Sequence, residues 1–207
     1  RESVLAMELP TARIKYGTPR EEKAYDYAVE KKEVPEPSEE LKQKLSEQGI
    51  VCNTAEELKD YLAKDAASKL QSDFNVEISN TNTVVWEIAV KVKIMQGGQV
   101  VDEEDATAEN FPTGGIKILL DYPEGTNGTD YNFVVRHLIT MCPQDKVGEV
   151  VDETFTKTEQ GLELLITGAS PFAIGWYRVG SESTPSPEPE ETPEPGQTPQ
   201  PGETPEP

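Results

Sequence analysis

The sequence predicts a mainly β protein: an antiparallel β-sandwich of about seven strands, with a short helical segment before it and a proline-rich tail after it. The clearest evidence is the stretch 83–95, TVVWEIAVKVKIM, in which large apolar residues alternate with charged or small ones. Such alternation is typical of a long strand with one buried face and one solvated face. In addition, the apolar period changes near residue 74 from about 3.6 residues to 2, which separates a helical part from a β part.

The β part covers residues 74–180. Turn signals rich in glycine, proline and asparagine separate its alternating segments, which favours an antiparallel arrangement over a parallel one. The number and spacing of these segments are typical of an Ig-like sandwich. The charged stretch 102–110, without alternation, is expected to add one helical turn. The predicted strands are 74–79, 84–95, 116–121, 131–140, 150–157, 162–167 and 172–178.

The segment 18–73 is predicted to form three short amphipathic helices, after a lead-in over residues 1–17. The first helix covers 19–32, because Thr18 is a good N-cap, Pro19 suits the first helical position and Glu21 lies three residues after the cap. It should end before Pro35, since the residue ahead of a proline is disfavoured in the α region.

The other two helices also begin at capping residues. Ser38 precedes a segment with Leu41 and Leu45 one turn apart, and Gly49 follows as the residue that ends the helix. Thr54 opens the third helix, with a glutamate three residues later, and leucines then recur at helical spacing to about residue 70. Their apolar stripes are narrow, so we expect these helices to pack against another element.

Charge and composition exclude several classes of partner. The chain carries a net charge of −20, and the tail 181–207 holds seven glutamates, nine prolines and no basic residue. An acidic surface repels phosphates, so nucleic acids and anionic membranes are not expected partners. The tail is predicted to be a disordered, extended spacer. The sequence contains no apolar run long enough to span a membrane.

The cysteines leave two interpretations open. Cys52 and Cys142 are the only two, and their spacing fits neither a zinc site nor a redox motif. They are either two unpaired thiols or one disulfide bridge that joins the helical segment to the sheet. The acidic cluster 102–105 lacks the spacing of a calcium loop, so no metal and no cofactor are predicted.

No catalytic residues are predicted. His137 is the only histidine, and the sequence identifies no nucleophile or orienting acid for it, so a plain strand histidine is the simpler interpretation. Trp86 and Trp176 share the parity of aliphatic neighbours and are expected in the core. Tyr122, Tyr131 and Tyr177 are the better candidates for a binding surface, Tyr131 and Tyr177 in particular being expected on the surface.

Several stretches resemble a known family. Residues 119–126, LLDYPEGT, are similar to an LPYPEGT strand and turn, and residues 168–176, GASPFAIGW, are similar to an LSPFAIGW closing strand. The stretches VVRHLIT and TKTEQGLELLITG between them also resemble that family, a β-sandwich module near the C-terminus of large cell-surface proteins of Gram-positive, clostridial gut anaerobes. The resemblance covers about residues 74–179. Asp121 departs from it, since the family commonly has proline there.

The resemblance implies an extracellular stalk without enzymatic activity. In that family the module is followed by a proline-rich spacer and then by a cell-wall or membrane anchor, so a secreted or wall-attached protein is expected, held through an anchor that the present sequence does not contain. An alternative is an adhesin-type module that binds a glycan or a host surface protein. A fragment of a secreted hydrolase is a third and weaker alternative, because it needs a pocket with convergent acids or a paired His137.

Overall fold

The computed structural model describes residues 12–13, 24–112, 114–141 and 144–183. Within them the protein is mainly β, with two antiparallel sheets and two α-helices. The strands are β1 Ala12–Arg13, β2 Ala24–Lys32, β3 Thr81–Gln96, β4 Gln99–Asp105, β5 Ile116–Asp121, β6 Tyr131–Leu138, β7 Val150–Asp152, β8 Phe155–Lys157, β9 Gly161–Ile166 and β10 Ser170–Arg178, and the helices are α1 Glu39–Glu47 and α2 Ala55–Phe74.

The larger sheet has the strand order β1-β2-β3-β10-β6-β7, and β4 pairs with β3 beside β10. The smaller sheet has the order β5-β9-β8. One buried cluster contains side chains of both sheets, such as Ile88 and Phe172 from the larger one and Ile118 and Leu164 from the smaller one. The two sheets therefore bury their apolar faces against each other.

The opposite face of the larger sheet is covered by the helices. Leu62 and Leu70 of α2 are fully buried in a second cluster together with Ala173 and Tyr177 of β10. At Gly175 the helix lies so close that an added Cβ would be 2.9 Å from the Leu70 side chain. Strand β10 thus has a core on each of its faces, which explains its nearly continuous apolar sequence.

An ion-pair network also holds α2 to the sheet. The Arg136 guanidinium on β6 donates to the Asp65 carboxylate on α2 at 2.7 Å and to the Asp152 carboxylate on β7 at 2.8 Å. The Arg136 side chain is only 14% exposed. Because the guanidinium satisfies two carboxylates at once, it fixes the position of the helix across β6 and β7.

Both helix starts predicted at Ser38 and Thr54 are confirmed. The Ser38 hydroxyl accepts from the backbone N–H of Leu41 at 3.1 Å, and the Thr54 hydroxyl accepts from that of Glu57 at 3.2 Å. Gly49 follows the end of α1 with a φ of 79°, the left-handed conformation that ends helices. These signals are readable in the sequence because each cap is a local hydrogen bond.

The predicted helix over 19–32 is wrong for the part that the structure describes. Residues 24–32 form strand β2, which pairs with β3 along its whole length. Tyr27 and Val29 pack in the core between the sheets, with Tyr25 partly buried beside them, so the relevant spacing in this segment is 2 residues. The predicted helix start at Thr18 lies outside the described residues.

Two further elements differ from the prediction. The stretch 74–79 is not a strand: α2 runs to Phe74, Asn75 takes a left-handed φ of 53° as its cap, and a short 3-10 turn follows at Ile78–Asn80. Of the stretch 102–110, residues 102–105 are not helical, because β4 forms a hairpin with β3 through the turn at Gly97 and Gly98. Pairing with β3 orders this charged strand even though its side chains are exposed. A single turn does follow, in which the Phe111 N–H donates to the Thr107 carbonyl at 3.1 Å.

The remaining predicted strands are confirmed, except that one of them is two separate strands in the structure. Residues 116–121 form β5, and β6, β9 and β10 lie within two residues of the predicted bounds. The predicted strand 150–157 is two strands, since β7 pairs with β6 in the larger sheet and β8 pairs with β9 in the smaller one. The chain therefore crosses from one sheet to the other between Asp152 and Phe155. Among the described helices, none is long and apolar enough to cross a membrane.

Candidate functional site

A cleft of about 260 Å³ opens between the two sheets. The inward face of β3 and β10 forms one wall, and the end of β5 with the turn after it forms the other. The cleft exists because the smaller sheet has three strands and the larger one seven, so β5, an edge strand, does not cover all of the larger sheet. Its lining residues include Lys31, Trp86, Asp121, Glu124, Phe172 and Trp176.

The cleft contains both tryptophans of the chain. Each is partly exposed, so the prediction that both lie in the core is wrong. Their parity was predicted correctly: Trp86 is paired with Phe172 across β3 and β10, and Trp176 packs on the core between the sheets. The Lys31 ammonium on β2 lies 3.7 Å from the centre of the Trp86 ring, a cation–π contact.

Two carboxylates stand at the edge of this aromatic surface. Asp121 ends β5 and is partly exposed, and Glu124 is exposed in the turn that follows. Neither carboxylate has a hydrogen-bond or ion-pair partner among the residues that the structure describes. The cleft thus combines apolar rings, one ammonium group and two available acceptors, which is the composition of a small-molecule site with a few polar groups at its edge.

The three tyrosines proposed as binding residues lie elsewhere. Tyr177 is 1% exposed, its hydroxyl donates to Glu182 at 2.9 Å, and its ring packs on Phe74 of α2. The prediction that Tyr177 lies on the surface is therefore wrong, because it occupies the helix-covered face of β10. Tyr122 is partly buried and donates to the backbone carbonyl of Thr158 at 2.6 Å. Burial raises the pKa of Tyr122.

Tyr131 is partly buried at the start of β6 and packs against the core between the sheets. Its backbone carbonyl accepts from the Lys157 ammonium at 2.7 Å, and the Asn132 side chain accepts from the same ammonium at 2.8 Å. These bonds join β8 of the smaller sheet to β6 of the larger one. Burial lowers the pKa of Lys157. The three tyrosines therefore do not form one exposed patch.

The fold gives His137 two partners that the sequence does not reveal. Its Nδ1 lies 2.7 Å from the Glu153 carboxylate, and its Nε2 contacts the Ser170 hydroxyl. The ring stacks on Phe172 with centroids 4.1 Å apart. With a neutral ring protonated at Nδ1, the imidazole donates to Glu153 and accepts from Ser170, so every polar group is satisfied.

This acid, imidazole and hydroxyl stand in the order that nucleophilic hydrolases use. Their burial separates them from such a site, because His137 and Ser170 are each 1% exposed. A nucleophile must reach the carbonyl carbon of a substrate. The Ser170 hydroxyl is buried inside the protein, so a substrate cannot reach it. The arrangement is best explained as a buried hydrogen-bond network that joins β6 and β10 to the connection between β7 and β8.

The carboxyl of Glu87 has a strongly raised pKa. It lies on β3 between Lys32 of β2 and Pro171 of β10 in the strand register. Burial raises its pKa to about 7, and the charge of Lys32 opposes this only in part. One of its oxygens is buried without a hydrogen-bond partner among the described residues. Glu87 is outside the cleft, so this perturbation affects stability rather than ligand binding.

We expect Glu87→Gln to remove a pH-dependent loss of stability. Below pH 4.5 the carboxyl is protonated in both the folded and the unfolded state, whereas between 4.5 and about 7 only the folded state keeps the proton. The free energy of unfolding therefore falls as pH rises through this window. The difference between variant and parent should grow from about zero at acidic pH to about 3 kcal/mol at pH 8 in favour of the variant.

Urea unfolding of both proteins across this pH range measures that difference. Glu109→Gln is the matched control, because Glu109 is exposed and its side chain has no partner among the described residues. The difference in the free energy of unfolding between Glu109→Gln and the parent should not change with pH. If the difference between Glu87→Gln and the parent also did not change with pH, this would contradict a proton that is bound selectively by the folded state.

The cysteine pairing stays a prediction. The Cys52 thiol is buried and contacts the backbone carbonyl of Glu57 at 3.7 Å, while Cys142 lies outside the described residues. Burial, and then the charges of Glu57 and Asp60, raise the pKa of Cys52. Within the described ranges, no group of three or more histidine, cysteine, aspartate or glutamate side chains is placed to hold a metal ion.

The chain matches no protein-family model, no curated protein and no solved structure.

Proposed function

We propose that the chain is a load-bearing spacer, without enzymatic activity, in an extracellular bacterial surface protein attached to the cell wall. The observation that carries the proposal is the course of the chain through the larger sheet. Ala24 of β2 pairs with Met95 near one end of β3, whereas Tyr177 of β10 pairs with Thr81 at the other end. The chain therefore enters β2 and leaves β10 at opposite ends of this sheet.

The distance between these ends is large for a module of this size. Positions 81 and 95 are 14 residues apart along β3, and a strand rises about 3.3 Å per residue, so the two ends lie about 46 Å apart. A module that is traversed from end to end adds its own length to a stalk. A module whose chain left at the same end at which it entered would add little length.

The same topology resists pulling. In the sheet order, β2 and β10 lie on opposite sides of β3 and both run antiparallel to it. Tension applied before β2 and after β10 pulls these strands in opposite directions along β3. The load then acts along the strands and is shared by all ladder hydrogen bonds at once, instead of opening them one by one.

The sequence after β10 supports the same function. Residues 184–207 lie outside the described residues, but their composition of proline, threonine and glutamate is that of an extended, self-repelling spacer. Such a composition is suited to a segment that lengthens a stalk.

The family resemblance supports this proposal as well. The stretch GASPFAIGW includes most of β10, the strand with a core on each face, and LLDYPEGT covers the end of β5 and the turn at the cleft. We propose that the two sheets belong to the Ig-like sandwich module of clostridial surface proteins, with the helical layer as an addition. The buried Tyr177 and Ser170 argue against the alternatives built on the three tyrosines or on His137.

Single-molecule pulling on the full chain tests this proposal. Once the two residue pairs that join β1 to β2 have opened, handles at Arg1 and Pro207 load β2 and β10 in shear. Handles at Arg1 and Gly98 instead pull β2 away from the adjacent end of β3 and open their ladder one bond at a time. We expect a clearly higher unfolding force for the first pair. Equal forces, or a lower force for the first pair, would contradict a load-bearing role.

A second test concerns location. Antibodies raised against this chain should label intact, unpermeabilised bacterial cells that carry it. Labelling that requires permeabilisation would contradict an extracellular position while leaving the pulling result unaffected.

A further inference from the structure

We propose that the cleft between β3, β10 and the end of β5 binds a neutral sugar ring, a hexopyranose of a glycan. This binding site is additional to the spacer role and does not depend on it. It also differs from the three tyrosines considered above, since none of them is among the residues that line the cleft.

The cleft combines aromatic and polar groups in a way that matches a sugar ring. A pyranose has apolar C–H faces, which stack on aromatic rings, and hydroxyls around its rim, which need hydrogen-bond partners. Trp176 supplies a ring surface for stacking, and Trp86 carries the Lys31 ammonium on one face of its ring, while Asp121 and Glu124 supply acceptors at the edge. These carboxylates have no other partner among the described residues, so a ligand hydroxyl does not have to displace one.

The charges in the cleft favour a neutral ligand over an anionic one. The cleft has one cation, Lys31, and two carboxylates, on a chain with net charge −20. An anionic ligand such as a phosphate or a uronic acid would meet net repulsion there. The Lys31 ammonium already lies over the Trp86 ring, where it can donate to a hydroxyl at the rim of a sugar placed on Trp176. A neutral polyhydroxylated ring meets no such repulsion, and its hydroxyls can donate to the two carboxylates.

The size of the cleft also limits the ligand. A volume of about 260 Å³ is near the lower end of ligand pockets, which begin at about 300 Å³. It suits one sugar ring, with the rest of a glycan outside the opening. The walls are backbone-supported strands of two sheets, so the tryptophans are held in place before the ligand arrives, which lowers the entropic cost of binding.

Intrinsic tryptophan fluorescence can report binding at this site, because the only two tryptophans of the chain both line the cleft. We would titrate the full chain with glucose, with N-acetylglucosamine and with cellobiose while recording tryptophan emission. At least one of the three should give a saturable change with a dissociation constant of millimolar order or tighter. Isothermal titration calorimetry with the same sugar gives an independent constant.

Substitutions in the cleft locate the binding. Glu124→Gln and Asp121→Asn keep the shape of each side chain and should weaken binding by about threefold to tenfold. Trp176→Ala should weaken it more than tenfold, and Trp176→Phe should restore part of the loss because it keeps an aromatic face. Lys117→Met is the control at an exposed position on β5, outside the cleft lining, and should bind as the parent does.

Three outcomes would overturn the proposal. The first is the absence of a saturable signal for all three sugars up to about 100 mM, well above the weakest constant expected. The second is a signal that Asp121→Asn and Glu124→Gln leave unchanged; these substitutions are at partly or fully exposed positions, so they keep the test valid even if Trp176→Ala does not fold. The third is saturation by an extended peptide but by no sugar, which would indicate strand addition at β5.

Discussion

Replacing Leu62 by alanine is expected to lower the free energy of unfolding by about 3 kcal/mol, within the usual range for a buried leucine. Leu62 has 0% exposure and lies on α2 in the cluster between the helices and the larger sheet. The flanking elements, β10 and β6, are held in the middle of a sheet, so they cannot move inward to fill the cavity. Urea unfolding measured by circular dichroism gives the difference.

The same substitution at Leu165 is the control. Leu165 lies on β9 but is 45% exposed, so Leu165→Ala should change the stability by no more than about 0.5 kcal/mol. Equal effects at the two positions would show that α2 contributes no more to the fold than an exposed strand position does. The helices would then be an appendage to the sheets and not one of the two cores.

Replacing Gly161 by alanine is expected to cost about 3 kcal/mol, at the upper end for overpacking. Gly161 begins β9 opposite Asp121 of β5, and a Cβ there would lie 2.1 Å from the backbone carbonyl oxygen of Leu120. A flexible side chain could rotate away, but a backbone carbonyl in a strand cannot. The added methyl group must therefore push β5 away from β9, and the stability and the position of Asp121 change together.

Gly114→Ala is the matched control, because a Cβ at Gly114 meets nothing within 4 Å and its φ is not in the left-handed region. It should be neutral or slightly stabilising through the unfolded chain. If sugar binding occurs as proposed, Gly161→Ala should weaken it while Gly114→Ala leaves it unchanged. A Gly161→Ala protein with the parent's unfolding midpoint would contradict the close approach of β5 and β9.

The tryptophans and tyrosines show how far alternation can be used. Parity correctly placed Trp86 beside Ile88, and Trp176 beside Ile174, on one face of the sheet. It could not indicate whether that face was covered at each position, since this depends on how many strands the opposite sheet has. The prediction that Tyr177 is exposed was wrong for the converse reason. Tyr177 lies on the face that alternation marks as solvent-facing, but α2 covers that face.

His137 illustrates a different limit. Glu153 and Ser170 are 16 and 33 residues away along the chain, and no motif relates these positions. They meet because β6 pairs with β10 on one side and with β7 on the other. Strand order therefore created the network, and no sequence pattern could have predicted it.

What the sequence determined by itself is the set of local features: the caps at Ser38 and Thr54, the left-handed glycine after α1 and the alternation of β3, β5 and β9. Each depends on hydrogen bonds or side-chain spacing within a few residues. Only the tertiary structure decided that residues 24–32 form a strand, that both faces of β10 are buried and that a cleft exposes the two tryptophans. These features depend on pairing and coverage between distant segments, where packing outweighs local preference.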